Sequence, residues 1–174
     1  MRPSLTALMA LGILLGATLP QQARGQEGTR EPVAHDQVIS GNPLILLAGW
    51  FNAEYERKLS NTTTAGFGGG WISLDGGDDD YTSLNGFLRY YPQGAALTGF
   101  YLGGRLGIHR VDTEDESASV FGLGVDLGYS WLLGPSRAFY VGLGLGATRL
   151  FGGDLEDASP TIPVIRLINI GIAF

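Results

Sequence analysis

The sequence predicts an all-β fold, an eight-stranded antiparallel up-and-down transmembrane β-barrel, from three observations. Segments of alternating polarity recur along the chain, and the last of them ends on Phe174. The composition includes 28 glycines and 10% aromatic residues. Only 16% of the residues are charged. Such a chain is too apolar to be disordered and too rich in glycine to form a helical bundle.

The N-terminal residues predict an exported protein. Arg2 precedes an apolar run over residues 5–19, and Ala23-Arg24-Gly25 supplies small residues where a signal peptidase would cut. The run is shorter than the ~20 residues of a spanning helix, and no later run is longer, which excludes a helical membrane protein. We expect a signal peptide at 1–25, a periplasmic N-terminal tether at 26–36 and an outer-membrane barrel at 37–174.

Charge and cysteine content narrow the classes of function. The chain has no cysteine, which excludes both a disulfide framework and a lipid-bearing cysteine. Its net charge of −6 becomes −8 when Arg2 and Arg24 leave with the signal peptide. An acidic chain is not expected to bind nucleic acid, whose phosphates attract Lys and Arg. We expect a monomer that needs no cofactor.

Eight segments have the alternation of strands, and several exceed the five or six residues usual in soluble sheets. The sixth segment is the clearest, because Phe121, Leu123 and Val125 alternate with glycines and Asp126. A tilted strand that crosses a bilayer needs about nine to eleven residues, which these segments supply. The expected strands span residues 37–47, 50–59, 63–74, 81–92, 99–111, 118–133, 138–151 and 161–174.

The first hairpin is the least regular part of the pattern. Residues 39–59 could form one bent strand, but an even strand number with both termini in the periplasm requires a break. Ala48-Gly49 is the expected break, since glycine can supply a tight turn. Pro43 weakens the first strand because proline cannot donate to a ladder. An eighth strand from a differently placed N-terminal segment is the alternative.

Acidic residues concentrate in the connections at one end of the predicted barrel. Eleven of the 17 acidic residues lie at 75–80, 111–117 and 152–160, whereas the opposite connections at 60–62, 93–98 and 134–137 contain none. This separation supports the strand count and predicts acidic loops outside the cell.

Alternation alone does not separate a membrane barrel from a soluble exported barrel of the lipocalin type, whose apolar rows would face inward around a ligand. Two features favour the membrane: the opposite rows are rich in glycine, as a narrow lumen allows, and aromatic residues lie at the ends of the apolar rows, as in interfacial girdles. These aromatic residues are Trp71, Tyr90, Phe100, Trp131, Phe139 and Phe174.

The final strand is a candidate assembly signal. Ile168, Ile170, Ile172 and Phe174 form one apolar row that ends the chain on an aromatic residue. The expected partner of this row is the barrel assembly machinery. The same alternation also describes an ordinary half-buried strand.

Three motifs resemble a known family: Asn42-Pro43-Leu44, the segment YERKLS at 55–60, and LRYYP at 88–92 before GFYLGG at 99–104. They are similar to small outer-membrane β-barrel proteins grouped as a domain of unknown function, relatives in architecture of the OmpA and OmpX barrels. The resemblance covers about residues 37–174. It implies an eight-stranded barrel in the outer membrane and brings no catalytic residues.

A catalytic barrel of this size would resemble a lipid A deacylase, which uses a His-x-Ser pair and a distant carboxylate. His109 is followed by Arg110 and Val111, so the serine two places on is missing, and His35 lies in the tether. A nucleophilic serine needs a base within hydrogen-bond reach. We therefore expect no enzyme activity, and we expect His109 to be a polar residue at the extracellular mouth of the lumen.

Charged residues on the lumen side of the strands form a candidate network. Uncompensated charges in a small closed interior are costly, so these side chains are expected to pair. The pairing would make either a salt-bridged plug or a gate that rearranges to admit ions, and the plug is the simpler expectation because barrels of this size are filled by side chains. The network comprises Glu54, Glu56, Arg89, Arg105 and Asp126.

Two further sets of charges face the cell surface. Asp75, Asp78, Asp79 and Asp80 are weak candidates for divalent cations, but they lack the alternating ligands and final Glu of an EF-hand. Solvated loops, or a basic partner, are the alternatives. The arginines at strand ends on the lipid-facing row are candidates for phosphate groups of lipopolysaccharide, or else for pairing with the acidic loops. They are Arg110, Arg149 and Arg166.

The sequence thus predicts a non-catalytic integral outer-membrane protein with a structural or surface-interaction role. Its expected partners are outer-membrane lipid and lipopolysaccharide. A narrow outer-membrane pore is the alternative function.

Overall fold

The chain folds into a closed antiparallel barrel of eight strands in consecutive order, which confirms the predicted eight-stranded up-and-down β-barrel. The computed structural model describes residues 34–74, 79–112, 117–152 and 160–174. The strands are β1 (Gln37–Gly41), β2 (Trp50–Lys58), β3 (Thr63–Leu74), β4 (Asp79–Tyr90), β5 (Gly99–Asp112), β6 (Ser117–Leu133), β7 (Phe139–Phe151) and β8 (Thr161–Ala173). One short helix, α1 (Pro43–Leu47), follows β1. Among the described residues, no helix is long and apolar enough to cross a membrane.

The strands are strongly staggered. From Ile39, residue partners followed strand by strand around the barrel lead to Thr161 of β8. Ile39 itself pairs with Ile172, far along the same strand. This offset tilts every strand against the barrel axis. Residues at one height therefore come from non-partnered positions on different strands.

The barrel is polar inside and apolar outside. Along β6, Phe121, Leu123 and Val125 are exposed on the outer surface, while Asp126 and Ser130 are buried in the lumen. This arrangement contradicts the soluble alternative, whose apolar rows would point inward. The apolar belt is defined by exposed outer residues from every strand, among them Ile39, Phe51, Phe67, Leu84, Leu88, Leu102, Leu106, Ile108, Leu123, Val125, Leu127, Leu145, Ile170 and Ile172.

The first hairpin differs from the prediction of a strand over residues 37–47. β1 ends at Gly41, and α1 occupies the next turn of chain. Asn42 caps this helix, because its Oδ1 accepts from the backbone N–H of Leu44 at 3.0 Å and of Ile45 at 3.3 Å. Pro43 stands in the first turn, where its missing N–H costs nothing. Gly49, with φ of 83°, supplies the turn into β2, as predicted.

The last strand contains a β-bulge. Asn169 pairs with Gly142, whereas Arg166 pairs with Gly144, so three steps along β8 oppose two steps along β7. An extra residue in one strand reverses which face the following side chains occupy. The lower half of β8 keeps the predicted alternation, and the upper half has the opposite one.

One end of the lumen is closed by apolar side chains. We call this the lower end, because the terminal strands β1 and β8 meet there through backbone bonds between Gln37 and Phe174 of 3.0 and 2.9 Å. Val38, Tyr140 and Ala173 pack there with Leu97, which reaches in from the connection between β4 and β5. Ser130 Oγ donates to the Leu97 carbonyl at 3.0 Å and holds that connection against β6.

Candidate functional site

The lumen contains a layer of six charged side chains, three carboxylates and three guanidinium groups, whose side chains are between 0 and 11% exposed. We call this set the charged layer. The stagger of the barrel brings its members to one level from five different strands. It comprises Glu54 and Glu56 from β2, Arg89 from β4, Arg105 from β5, Asp126 from β6 and Arg166 from β8.

Arg89 lies at the centre of the charged layer. Its guanidinium contacts Glu56 at 2.5 Å, Glu54 at 3.2 Å and Asp126 at 3.5 Å. The ring of Phe87 lies 3.9 Å from its central carbon. A fully buried cation with three carboxylates and an aromatic face has its charge compensated within the lumen.

Glu56 is fixed by neutral donors as well as by Arg89. Thr64 Oγ1 donates to its Oε1 at 2.5 Å, and the Tyr91 hydroxyl donates to the same oxygen at 2.9 Å. Both oxygens of this buried carboxylate therefore have partners, which a buried anion requires.

Arg105 completes one side of the charged layer. Its Nη2 lies 3.5 Å from Asp126 and 3.9 Å from Glu54, so it shares both carboxylates with Arg89. Gly146 leaves the space for this arrangement, because a Cβ there would lie 2.8 Å from the Asp126 Cβ. The glycine-rich rows of the sequence thus make room for charged side chains from neighbouring strands.

Arg166 lies in the lumen, and its predicted position on the lipid-facing row is wrong. It is 3% exposed, contacts Glu54 at 2.7 Å and donates to the Tyr101 hydroxyl at 2.6 Å. With its amide rotated, Asn169 accepts from Arg166 at 3.0 Å. The bulge in β8 explains the error, because it turns Arg166 inward although Ile168 and Ile170, at even spacing from it, face outward.

The sequence holds two signals for this reversal. A guanidinium in the middle of a lipid-facing row would lie deep in the apolar belt, where a charge is costly. The adjacent apolar residues in Val164-Ile165 and Leu167-Ile168 also interrupt strict alternation on both sides of Arg166. Together they indicate a change of face at this point.

His109 lies in the upper part of the lumen, as predicted, and is 4% exposed. Its Nδ1 is 2.6 Å from the Tyr81 hydroxyl, and Tyr81 meets the ring of Trp50 edge-on at 5.9 Å. In the part of the chain that the structure describes, no serine hydroxyl bonds to His109. The second histidine, His35, is 2.8 Å from the backbone oxygen of Ser136. Among the described residues, neither histidine therefore forms a hydrogen-bonded pair with a serine hydroxyl.

The two other strand-end arginines are exposed near the upper end of the barrel. Arg110 Nε is 2.8 Å from the carboxylate of Asp112, two residues along β5. The guanidinium carbon of Arg149 lies 5.7 Å from the ring of Phe151. Pairing with Asp112 therefore accounts for Arg110 but not for Arg149. Both side chains are exposed to solvent.

Of the candidate cation ligands, Asp75 and Asp78 lie outside the described residues, while Asp79 and Asp80 begin β4. Across the described ranges, no group of three or more potential metal ligands comes together. The row proposed as an assembly signal faces outward, with Ile168, Ile170, Ile172 and Phe174 between 37 and 64% exposed.

No protein-family model and no curated protein sequence matches the chain. Among solved structures, the chain is similar to the N-terminal β-barrel domain of Pseudomonas aeruginosa OprF, with 14% identity and a TM-score of 0.46. The alignment covers 80% of this chain and 98% of that domain.

Proposed function

We propose that the protein is an integral outer-membrane barrel with a structural or surface-interaction role and without catalytic activity. The observation that carries this proposal is the apolar belt, together with aromatic side chains near both of its edges. Trp71 and Phe151 lie toward the upper edge, while Tyr90, Phe139 and Phe174 lie toward the lower edge, all of them exposed. Water would make so large an apolar surface unfavourable, whereas a bilayer requires it.

The filled lumen supports a structural role. The charged layer blocks the middle of the barrel, and the apolar cluster around Leu97 blocks its lower end. Side chains normally fill barrels of eight strands. A passive wall element, or a scaffold that presents its upper connections, needs no passage through this interior.

A direct test combines cell fractionation with gel mobility before and after boiling. The expected protein sediments with outer membranes and migrates as a compact species in SDS until it is heated, because a closed barrel resists SDS. Recovery in the soluble periplasmic fraction, with the same mobility under both conditions, would contradict the proposal.

A narrow pore is the second candidate function. The observation in its favour is that Arg89 and Arg105 both contact Glu54 and Asp126, so each cation has alternative carboxylate partners inside the lumen. Recordings from planar bilayers test this candidate. Discrete conductance steps that change in Glu54→Gln would establish a pore, and a silent bilayer containing inserted protein would exclude it.

Two partners follow from the proposed location. Arg110 and Arg149, exposed at the upper edge of the belt, are proposed to bind lipid phosphates, since guanidinium groups match phosphate geometry. The outward row ending at Phe174 is proposed as the signal for the barrel assembly machinery. Divalent-cation binding by the acidic connections is a further proposal, supported by their charge alone.

A further inference from the structure

Between β2 and β8, strand β1 closes the barrel wall over only part of its height. Residues 37–40 of β1 pair with β2, and residues 38–41 pair with β8. Above that level, among the described residues, no strand pairs with this side of β2 over 50–53 or of β8 over 161–169. We call the interval between these two strand edges the seam.

Helix α1 covers the seam. It contacts both β2 and β8, and all five of its residues are apolar. Leu44, Leu46 and Leu47 are 44, 55 and 87% exposed, so they extend the apolar belt across the seam. The start of the helix is tied to β2, because the Asn42 N–H donates to Asn52 Oδ1 at 2.8 Å.

On the lumen side, a salt bridge spans the seam. Arg166 lies in the part of β8 that no described strand pairs on the seam side, and it contacts Glu54 of β2 at 2.7 Å. Above this pair, Trp50 lies on the β2 edge and packs against Tyr81. The lumen side of the seam is therefore lined by this salt bridge and, above it, by Trp50 and Tyr81.

A strand from a second copy is a poor fit to the seam. Pro163 has no N–H to donate to a ladder, and the bulge between Arg166 and Asn169 interrupts the spacing that a new strand would need. Natural sheet edges use both devices to prevent pairing. The remaining backbone N–H groups of this edge still require acceptors at membrane depth.

We propose that one lipid of the surrounding bilayer docks in the seam, with its ester and head-group oxygens against the β8 edge and an acyl chain against α1. The inference rests on the proposed outer-membrane location. Lipid oxygens accept hydrogen bonds from the N–H groups near Thr161 that no described strand pairs, where the seam reaches the upper end of the wall. The acyl chain packs on Leu44, Leu46 and Leu47, which continue the apolar belt.

Tryptophan quenching tests this proposal with the full chain in phosphatidylcholine vesicles whose acyl chains are brominated. The chain has three tryptophans, so Trp71→Phe with Trp131→Phe leaves Trp50 as the reporter at the seam. Trp50→Phe with Trp131→Phe leaves Trp71 as the reporter on the lipid-facing surface. A tryptophan-free chain carrying Leu150→Trp is the matched control, because Leu150 faces the lumen from β7, away from the seam.

The expected result is a loss of Trp50 emission clearly larger than that of the Leu150→Trp control, and smaller in a Leu46→Asp variant. Equal emission of Trp50 and the control, with Trp71 quenched, would overturn the docked lipid and leave the membrane location standing. Unquenched Trp71 would instead contradict the membrane location itself. A Leu46→Cys variant would carry the only cysteine of the chain. If it formed disulfide-linked dimers, the occupant of the seam would be a second copy of the chain and the lipid proposal would be wrong.

Discussion

At the residue scale, the charged layer balances three cations against three anions in a space from which water is largely excluded. Arg89 depends on this balance most, since its side chain is fully buried and contacts three carboxylates. Removing one partner leaves the others as uncompensated buried charges. The stability lost in this way commonly exceeds the net stability that the intact ion pair contributes.

We expect Arg89→Met and Glu56→Gln to destabilise the folded barrel by about 3–5 kcal/mol each, because each leaves a buried charge without its partner. The double variant should recover part of the sum, since the two side chains contact each other. Urea unfolding of the refolded protein in detergent measures the free energies. Strict additivity of the two losses would argue that the contact has no energetic coupling.

A second prediction concerns the exposed arginines. Arg110→Gln combined with Arg149→Gln should lower the amount of lipopolysaccharide that copurifies with the barrel, because two phosphate-binding forks are lost. Heat-dependent gel mobility should stay unchanged, since neither side chain belongs to the charged layer. Equal amounts of lipopolysaccharide with the variant and the wild type would contradict phosphate binding by these arginines. The pairing with Asp112 would then be the remaining role of Arg110.

At the element scale, most strands follow from alternation, because the lumen and the outer surface impose opposite polarity on successive residues. The sequence prediction placed β3 through β7 within two residues of their observed bounds. It missed α1, since the Asn42 cap and Pro43 override the apolar run that follows. It also missed the inward direction of the Arg166 side chain, because the bulge is set by the pairing of β8 with β7, which the sequence of β8 alone does not specify.

The charged layer could be predicted in part for the same reason. Glu54, Glu56, Arg89, Arg105 and Asp126 lie in regular strands, so alternation correctly directs each of them toward the lumen. Which cation meets which carboxylate depends on the stagger between strands. Local sequence contains no information on that stagger.

Substitution of a lumen-facing glycine in β7 should destabilise the barrel. Gly146→Ala would place a methyl group 2.8 Å from the Asp126 Cβ and 3.0 Å from its Cα. The expected cost is about 1–3 kcal/mol, as for other overpacked interiors. Gly104→Ala is the control, because a Cβ there meets nothing within 4 Å. Equal unfolding free energies for the two variants would show that the lumen relaxes around the added methyl group.

The end of β8 gives a separate prediction. Deleting Phe174, or changing it to Asp, should reduce the amount of barrel in the outer membrane far more than it changes the stability of refolded protein. The reason is that its side chain is exposed, whereas its row is proposed to be read during assembly. Cell fractionation and refolding in detergent measure the two effects. Normal membrane levels of the truncated chain would contradict the assembly role.

At the scale of the whole barrel, the acidic connections join strands at the end opposite to the one where β1 begins and β8 ends, so orientation decides which end faces outward from the cell. Single cysteines test it in this cysteine-free chain. Ser117→Cys, at the upper end of β6, should react with a membrane-impermeant maleimide on intact cells. Ser136→Cys, at the lower end, should react only after lysis. The reverse pattern would place the acidic connections in the periplasm.

The β1 and β8 pairing also has a kinetic consequence. Val38 meets Ala173 at nearly the greatest sequence separation that the described chain allows, and only four residue pairs and the two backbone bonds between Gln37 and Phe174 join these two ends of the chain. Closing so long a loop costs conformational entropy before any contact compensates for it. All other neighbouring strands are hairpins, whose contacts form locally. We therefore expect a sheet that is already built from β2 to β8 to remain open until its last step, with the five residues of β1 setting the rate of closure.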